Sequence, residues 1–232
     1  MSAITMHLRS GVTTAPLRVD LAGGWLDLPK FARPGAFIAN CAIKPLVSRA
    51  SWHYQPRSGL GGSATYALLC GKNPLASELG AGVGWQDPAI ILETGLCVWR
   101  SGRTPVLHAK INPDWLKGLM ALYWTGKHHD TAGLVRQPRD FELIVAAGAQ
   151  AAKAALRYSL PGLQRAIQLS YKAQMAEGMS PLPKVRGAAA KYCGSGWGGY
   201  ALYLFNEPGL RDHFLEEPGT LAIEPYLRDW PA

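Results

Sequence analysis

Ser58-Gly59-Leu60-Gly61-Gly62-Ser63-Ala64 is the stretch on which the fold turns. Its glycines let a backbone approach the oxygens of an anion, and the helix-compatible segment Ala64 to Cys70 follows directly. A helix start in that place aims free N–H groups at a phosphate. Ser63 adds a hydroxyl suited to magnesium. By composition alone, an ordinary turn before a helix reads the same way. The stretch lacks the Gly-Lys-Ser/Thr of a Walker loop and does not sit in the strand-helix-strand setting of a dinucleotide fingerprint.

Upstream, Thr13 to Leu21 alternates like a strand, ends in Gly23-Gly24 and delivers Asp27 a few residues later, with Arg18 on the strand itself. A rigid sheet presenting a loop carboxylate is a common binding arrangement, although Arg18 also reads as a surface residue and Asp27 as a turn former. Ala36 to Ile43 and Leu46 to His53 read as two more strands. Downstream, Pro88 to Trp99 reads as a helix with proline at its first position, and Val106 to Ile111 and Leu119 to Tyr123 read as strands. Arg139 to Tyr158 is an Ala-rich amphipathic helix whose small residues suit close packing, followed by helical stretches from Leu163 to Glu177 and from Leu182 to Lys191. A second glycine cluster, Lys191 to Gly199, carries Gly194, Gly196, Gly198 and Gly199 just before the apolar strand Tyr200 to Phe205. A hairpin needs one or two glycines; four imply a loop pressed against a ligand or against the first glycine loop. A short helix and a strand follow, and the order is mixed α+β without repeats.

Composition narrows the functional classes. The chain has 232 residues, 48% of them hydrophobic, which is ample for a core. Lys and Arg number 24 against 16 Asp and Glu, a net charge of +8 that suits an anionic small molecule. The basic residues are scattered rather than gathered into a stripe, which argues against nucleic acid. Cys41, Cys70, Cys97 and Cys193 are far apart and form no Cys-x-x-Cys pair, so a reduced cytoplasmic setting is expected. No apolar run reaches membrane-spanning length and no leader is evident at Met1 to Thr14, so a soluble, unexported protein without a membrane partner is expected.

Three clusters in order, Ala15 to Pro29, Gly59 to Ala64 and Lys191 to Gly199, resemble the three motifs of the GHMP kinase superfamily. The first matches a Pro-x-Arg-Val strand leading to Gly-Gly and an Asp, and its Gly23-Gly24-Trp25-x-Asp27 form is most similar to the fucokinase and heptose 7-phosphate kinase branch. The second resembles Gly-Leu-Gly-Ser-Ser-Ala with Gly62 in place of the first serine. The third resembles Lys-x-x-Gly-Ala-Gly-Gly-Gly-Gly with Ser195 and Trp197 as substitutions. Gly84-Trp85-Gln86-Asp87-Pro88 is similar to the family's Gly-x-x-Asp segment, and Trp124-Thr125-Gly126 to a Tyr-Thr-Gly of the heptose-kinase branch. Only Lys44 to Arg57 separates the second strand from the glycine loop, shorter than the family usually has.

The resemblance implies a two-layer α+β fold with a first part over 1–112 and a second over 113–232, and an ATP- and Mg2+-dependent transfer of phosphate to a hydroxyl of a sugar or sugar phosphate. Asp87 would be the catalytic base and Arg18 its partner, holding it ionised and stabilising developing charge. Asp87 before Pro88 also fits a helix cap. Ser58, Gly59, Leu60, Gly61, Gly62, Ser63 and Ala64 would bind the nucleotide, with Ser63 and Glu78 toward magnesium. Gly24, Trp25, Asp27, Trp124, Gly196 and Gly198 would face the sugar. A homodimer is open, as is a second class of function, a small-molecule binder of this fold without catalysis. Trp25, Trp85 and Trp197 stand inside the glycine motifs, where an aromatic stacks on a sugar or covers a glycine. The pair His128-His129 reads as solvated loop residues, with a sugar-phosphate contact as the lesser reading.

Overall fold

All eight residues of Ala15–Ala22 are buried, as in a strand covered on both faces, and they form β1. The computed structural model describes residues 11–128 and 138–228. After β1 come β2 (Phe37–Val47), helices α1 (Gly62–Leu69), α2 (Pro74–Gly80) and α3 (Gln86–Glu93), and strands β3 (Leu96–Arg100), β4 (Val106–Ile111) and β5 (Met120–Trp124). Helices α4 (Phe141–Leu156) and α5 (Leu160–Ala176), strands β6 (Ala188–Tyr192) and β7 (Tyr200–Phe205), helix α6 (Pro208–Phe214) and strand β8 (Thr220–Pro225) complete the order. The expected α+β class is what the structure shows. No helix among the described residues is long and apolar enough to cross a membrane.

The strands form one antiparallel sheet in the order β4-β3-β2-β8-β5-β7-β6, with β1 paired to β2. Strand β2 is the hub. One edge pairs with β1, while the other meets β3 through Phe37 to Cys41 and β8 through Ile43 and Lys44. The C-terminal strand is thereby inserted between the early strands and β5. Helix α4 lies on this junction so closely that a Cβ on Gly148 would stand 2.0 Å from the Phe37 carbonyl oxygen. Its neighbours Ala147, Ala151 and Ala155 are fully buried, so small side chains set that approach, as their run in the sequence implies.

Three local readings are corrected. The segments expected as two strands, Ala36 to Ile43 and Leu46 to His53, are one strand to Val47 followed by an irregular stretch that Ser48 closes by accepting the Ser51 N–H at 2.9 Å. The helix expected from Pro88 to Trp99 stops at Glu93, because Thr94 (φ 61°) and Gly95 (φ 84°) turn left-handed and release Leu96–Arg100 into β3. The helix expected from Leu182 to Lys191 does not form. Pro183 offers no N–H there, Gly187 turns at φ 73°, and Ala188 onward pairs with β7. Helix α2, not singled out in the sequence, is capped by Asn73, whose side chain accepts from the Leu75 and Ala76 N–H groups.

Candidate active site

Strand β1 places Arg18 and Asp20 two residues apart, hence on one face, at 3% and 2% exposure in an otherwise apolar strand. Burying charge requires partners, and each has them. The Arg18 guanidinium donates from Nε to Asp87 Oδ1 at 2.6 Å and from Nη1 to the Gly59 carbonyl at 2.7 Å, and Nη1 lies 3.6 Å from Asp20 Oδ1. Asp20 in turn accepts from the Lys191 ammonium and from the Gly194 N–H at 3.0 Å. Burial alone would lower the Arg18 pKa, but the carboxylates of Asp87 and Asp20 outweigh it and raise the value above the usual one, keeping the cation. Asp20 joins all this to the third motif, and sequence reasoning passed over it. The available signal was an acid and a base at alternate positions of an apolar strand.

The two glycine clusters press on each other. A Cβ on Gly59 would stand 2.8 Å from the Cys193 carbonyl oxygen, and one on Gly199 would stand 2.5 Å from that of Ser58. The Tyr200 N–H donates to the same Ser58 oxygen at 2.9 Å. Of the two explanations open for the second cluster, close packing against the first loop is the one seen. Leu60 and Ala64 are fully buried anchors, and the Leu60 carbonyl accepts the Arg18 N–H at 3.1 Å. Gly61 caps α1 in the left-handed conformation without any side-chain cap, which leaves the first N–H groups of that helix without intrahelical acceptors. A Cβ on Gly61 would stand 3.3 Å from Asp87 Oδ2, a tight contact, and the φ of 75° there favours glycine as well.

Asp87 is inside the first turn of α3, whose cap position is Trp85, and its side chain serves Arg18 rather than the helix end. The cap role falls instead to Asp27, 1% exposed, which accepts from the Gln86 N–H at 3.1 Å and the Gln86 amide at 3.3 Å. Burial, opposed by the Gln86 hydrogen bond, pushes the Asp27 carboxyl up to about 7. Gly84 is obligatory beside it, since a Cβ there would overlap Asp27 Oδ2 at 1.6 Å. Gln86 was not singled out in the sequence. Glu78, on α2, lines the cavity with Ser63, and burial, opposed by the nearby Ser63 hydroxyl, raises its pKa.

These groups line one cavity of about 910 Å³, bounded by Arg18, Gly61, Ser63, Glu78 and Asp87 on one side and by Gly24, Trp25 and Asp27 on another. Gly194 and Ser195 of the third motif reach it. Trp124, Gly196 and Gly198 do not line it. Trp124 packs on Tyr200, with ring centres 5.1 Å apart; Gly196 accommodates Met179, and Gly198 the His128 carbonyl. Trp85 is a core residue against Trp99, while the Trp25 ring lies under the Arg139 guanidinium at 3.6 Å. His128 bonds to the Pro56 carbonyl through Nδ1 at 3.0 Å; His129 lies outside the described residues.

Solved structures share this architecture. A D-glycero-D-manno-heptose 1-phosphate kinase from Bacteriodes thetaiotaomicron aligns at TM-score 0.60 and 15% identity, covering 92% of this chain and 95% of that one. The phosphomevalonate kinase of Streptococcus pneumoniae aligns at 0.66 and 12%, covering 92% and 98%. The mevalonate kinase of Methanococcus jannaschii aligns at 0.67 and 13%, covering 94% and 100%. The chain has the GHMP kinase fold. Neither a protein-family model nor a curated protein sequence matches it. Within the GHMP kinase fold, the cavity lies where β1, the glycine-capped start of α1 and the start of α3 converge.

Proposed function

We propose that the protein is an ATP-dependent kinase that phosphorylates a hydroxyl of a sugar or sugar phosphate. One observation carries the reading: the Arg18–Asp87 pair, at 2.6 Å, stands in the same cavity as the uncapped, glycine-bordered N-terminus of α1. The first is a proton acceptor held in place; the second is an anion cradle. The name of one structural neighbour, the heptose 1-phosphate kinase, agrees with a sugar acceptor, while the mevalonate and phosphomevalonate kinases are named for other alcohols, so the choice of a sugar rests on the resemblance carried by Gly23-Gly24-Trp25-x-Asp27.

The residues fit a magnesium-bound nucleotide. The free N–H groups of α1 suit the phosphates, and Ser63 and Glu78 bring two oxygens to the same side of the cavity. Magnesium, when bound, neutralises charge on the transferring phosphate. Asp87 gives Oδ1 to Arg18 and keeps Oδ2 beside Gly61, free to orient the acceptor hydroxyl and take its proton as that oxygen bonds to the γ-phosphorus and ADP leaves. Arg18 fixes Asp87 in place through the Nε–Oδ1 contact. Asp27 acts from behind, through Gln86, by setting the start of α3. Of the sequence-assigned sugar contacts, Gly24 and Trp25 belong to the acceptor side of the cavity.

Calorimetric titration with ATP and magnesium, followed by a phosphoryl-transfer assay over aldoses, deoxysugars and heptose phosphates, tests the proposal. Binding with transfer is expected. Absence of affinity for any nucleoside triphosphate at millimolar concentration refutes it, and binding without transfer to any acceptor returns the protein to the non-catalytic class.

A further inference from the structure

Asn40 is fully buried in β2 between the apolar residues Ile38, Ala39, Cys41 and Ala42, so its amide must find partners inside the protein. In the ladder it stands opposite Asp20 of β1, and hence on the same sheet face as Asp20 and Arg18. The Trp99 indole N–H donates to Asn40 Oδ1 at 2.9 Å, and Asn40 Nδ2 donates to the Gln86 carbonyl at 3.4 Å. Chemistry fixes that orientation of the amide. An indole N–H only donates and a carbonyl only accepts, so a group that reaches both must present an oxygen to one and an N–H to the other. An apolar side chain of similar volume would fill the place with no partner to find.

The Gln86 carbonyl belongs to the peptide that carries the Asp87 nitrogen. Residue 86 is held on its other side as well, because Asp27 accepts the Gln86 N–H at 3.1 Å and the Gln86 side-chain amide at 3.3 Å. Gln86 is thus gripped from β2 and from the loop after β1, immediately before the residue whose Oδ1 meets Arg18 at 2.6 Å. The two grips differ in kind. Asp27 secures the end of the helix, whereas Asn40 bears on the peptide joined to Asp87 itself.

We infer that Asn40 is a positioning residue for the proton acceptor: it bonds the peptide preceding Asp87 and so holds Oδ2 of that carboxylate turned toward the acceptor hydroxyl. This rests on the kinase reading and extends it one layer behind the base. A misplacement of about 1 Å near a reacting group costs about a hundredfold in rate, so loss of this bond should be seen in turnover rather than in nucleotide affinity.

The experiment measures kcat and the KM of magnesium ATP for the full chain, with melting temperature as the folding control. The acceptor is the one that wild type turns over fastest among aldoses, deoxysugars and heptose phosphates. Asn40→Leu keeps the volume and loses both bonds; its kcat should fall by about ten- to a hundredfold with the KM of ATP within about twofold. Trp99→Phe disturbs the same core but leaves the bond to Gln86, so its kcat should stay within about threefold whatever its loss of melting temperature.

Asn40→Asp supplies a readout that packing alone does not move, and it decides the matter if Asn40→Leu does not fold. Its carboxyl still accepts the indole N–H, repels the Gln86 carbonyl when ionised and donates to it when protonated. Its kcat divided by that of wild type at the same pH, a ratio that cancels titrations common to both proteins, should rise about fivefold or more from pH 8.5 to pH 6. If wild type transfers phosphate and Asn40→Leu keeps its kcat, if the Asn40 and Trp99 variants lose kcat in step with melting temperature, or if the Asn40→Asp ratio is flat, Asn40 is packing only and the kinase reading survives alone. A wild type that transfers phosphate to none of these acceptors removes both.

Discussion

Gly199 and Ser58, 141 positions apart in the chain, are in such close contact that a Cβ on the glycine would stand 2.5 Å from the serine carbonyl oxygen. Gly199 also sits at φ 74°, where a side chain is strained regardless of space. Gly199→Ala should therefore cost about 2–4 kcal/mol of stability and loosen the phosphate loop. Nucleotide affinity should fall although Gly199 does not line the cavity. Gly209→Ala, in α6 with open space around it, is the control and should leave the melting temperature unchanged or slightly higher. Equal behaviour of the two variants would refute the loop-on-loop role.

Asp87→Asn tests chemistry apart from binding. The substitution keeps the shape and an oxygen for Arg18 but removes the proton acceptor. Turnover should fall by about a hundredfold to ten-thousandfold with nucleotide affinity and melting temperature largely kept. Arg18→Met should lower turnover too, and the double variant should lose less than the product of the single losses, because the two act as one unit across their 2.6 Å contact. Near wild-type turnover in Asp87→Asn would place the base elsewhere.

The buried Asp27 carboxyl gives stability a pH dependence with a definite sign. Its pKa rises from 3.8 to about 7, so between those values the unfolded chain has released a proton that the native state still holds. Stability should accordingly decline as pH rises through that window. Glu177, pushed up to about 7 by burial against partial compensation from Arg139, acts in the same direction. Asp27→Asn should remove part of the slope and be more stable than wild type at pH 8, by roughly 1–2 kcal/mol. Urea midpoints at pH 5 and pH 8 for both proteins decide it; an unchanged slope means that Asp27 is ionised in the native state.

The contact between the glycine loops was legible because glycine density marks close approach, whereas Arg18 and Asp87 were singled out through the motif resemblance, Asp87 reading locally as a helix cap. The roles of Asp27 and Asp20 were not legible, since each depends on where a distant segment lies, Gln86 for one and Lys191 for the other. Periodicity misread Pro88 to Trp99 because apolar residues continue past Glu93, while the left-handed pair Thr94-Gly95 alone breaks the helix. Gly196 and Gly198 looked like ligand contacts for a related reason. Sequence shows that a glycine is needed but not whether Met179, a backbone or a ligand occupies the space.

Lys191, Asp20, Arg18 and Asp87 follow one another with alternating sign, and their charges cancel. Such an electroneutral chain orients groups while exerting little pull on a distant polyanion. On the kinase reading, capture of the nucleotide then depends on partners that solvent ions can screen, the exposed cavity-lining guanidiniums of Arg49 and Arg57 and the open start of α1, whereas the buried chain is shielded from them. Raising salt from about 50 to about 300 mM should increase the nucleotide KM several-fold and leave kcat nearly constant. Steady-state kinetics across that range would show recruitment and chemistry governed by two separate sets of charges, one wet and one dry; a parallel fall in kcat would mean that they are the same set.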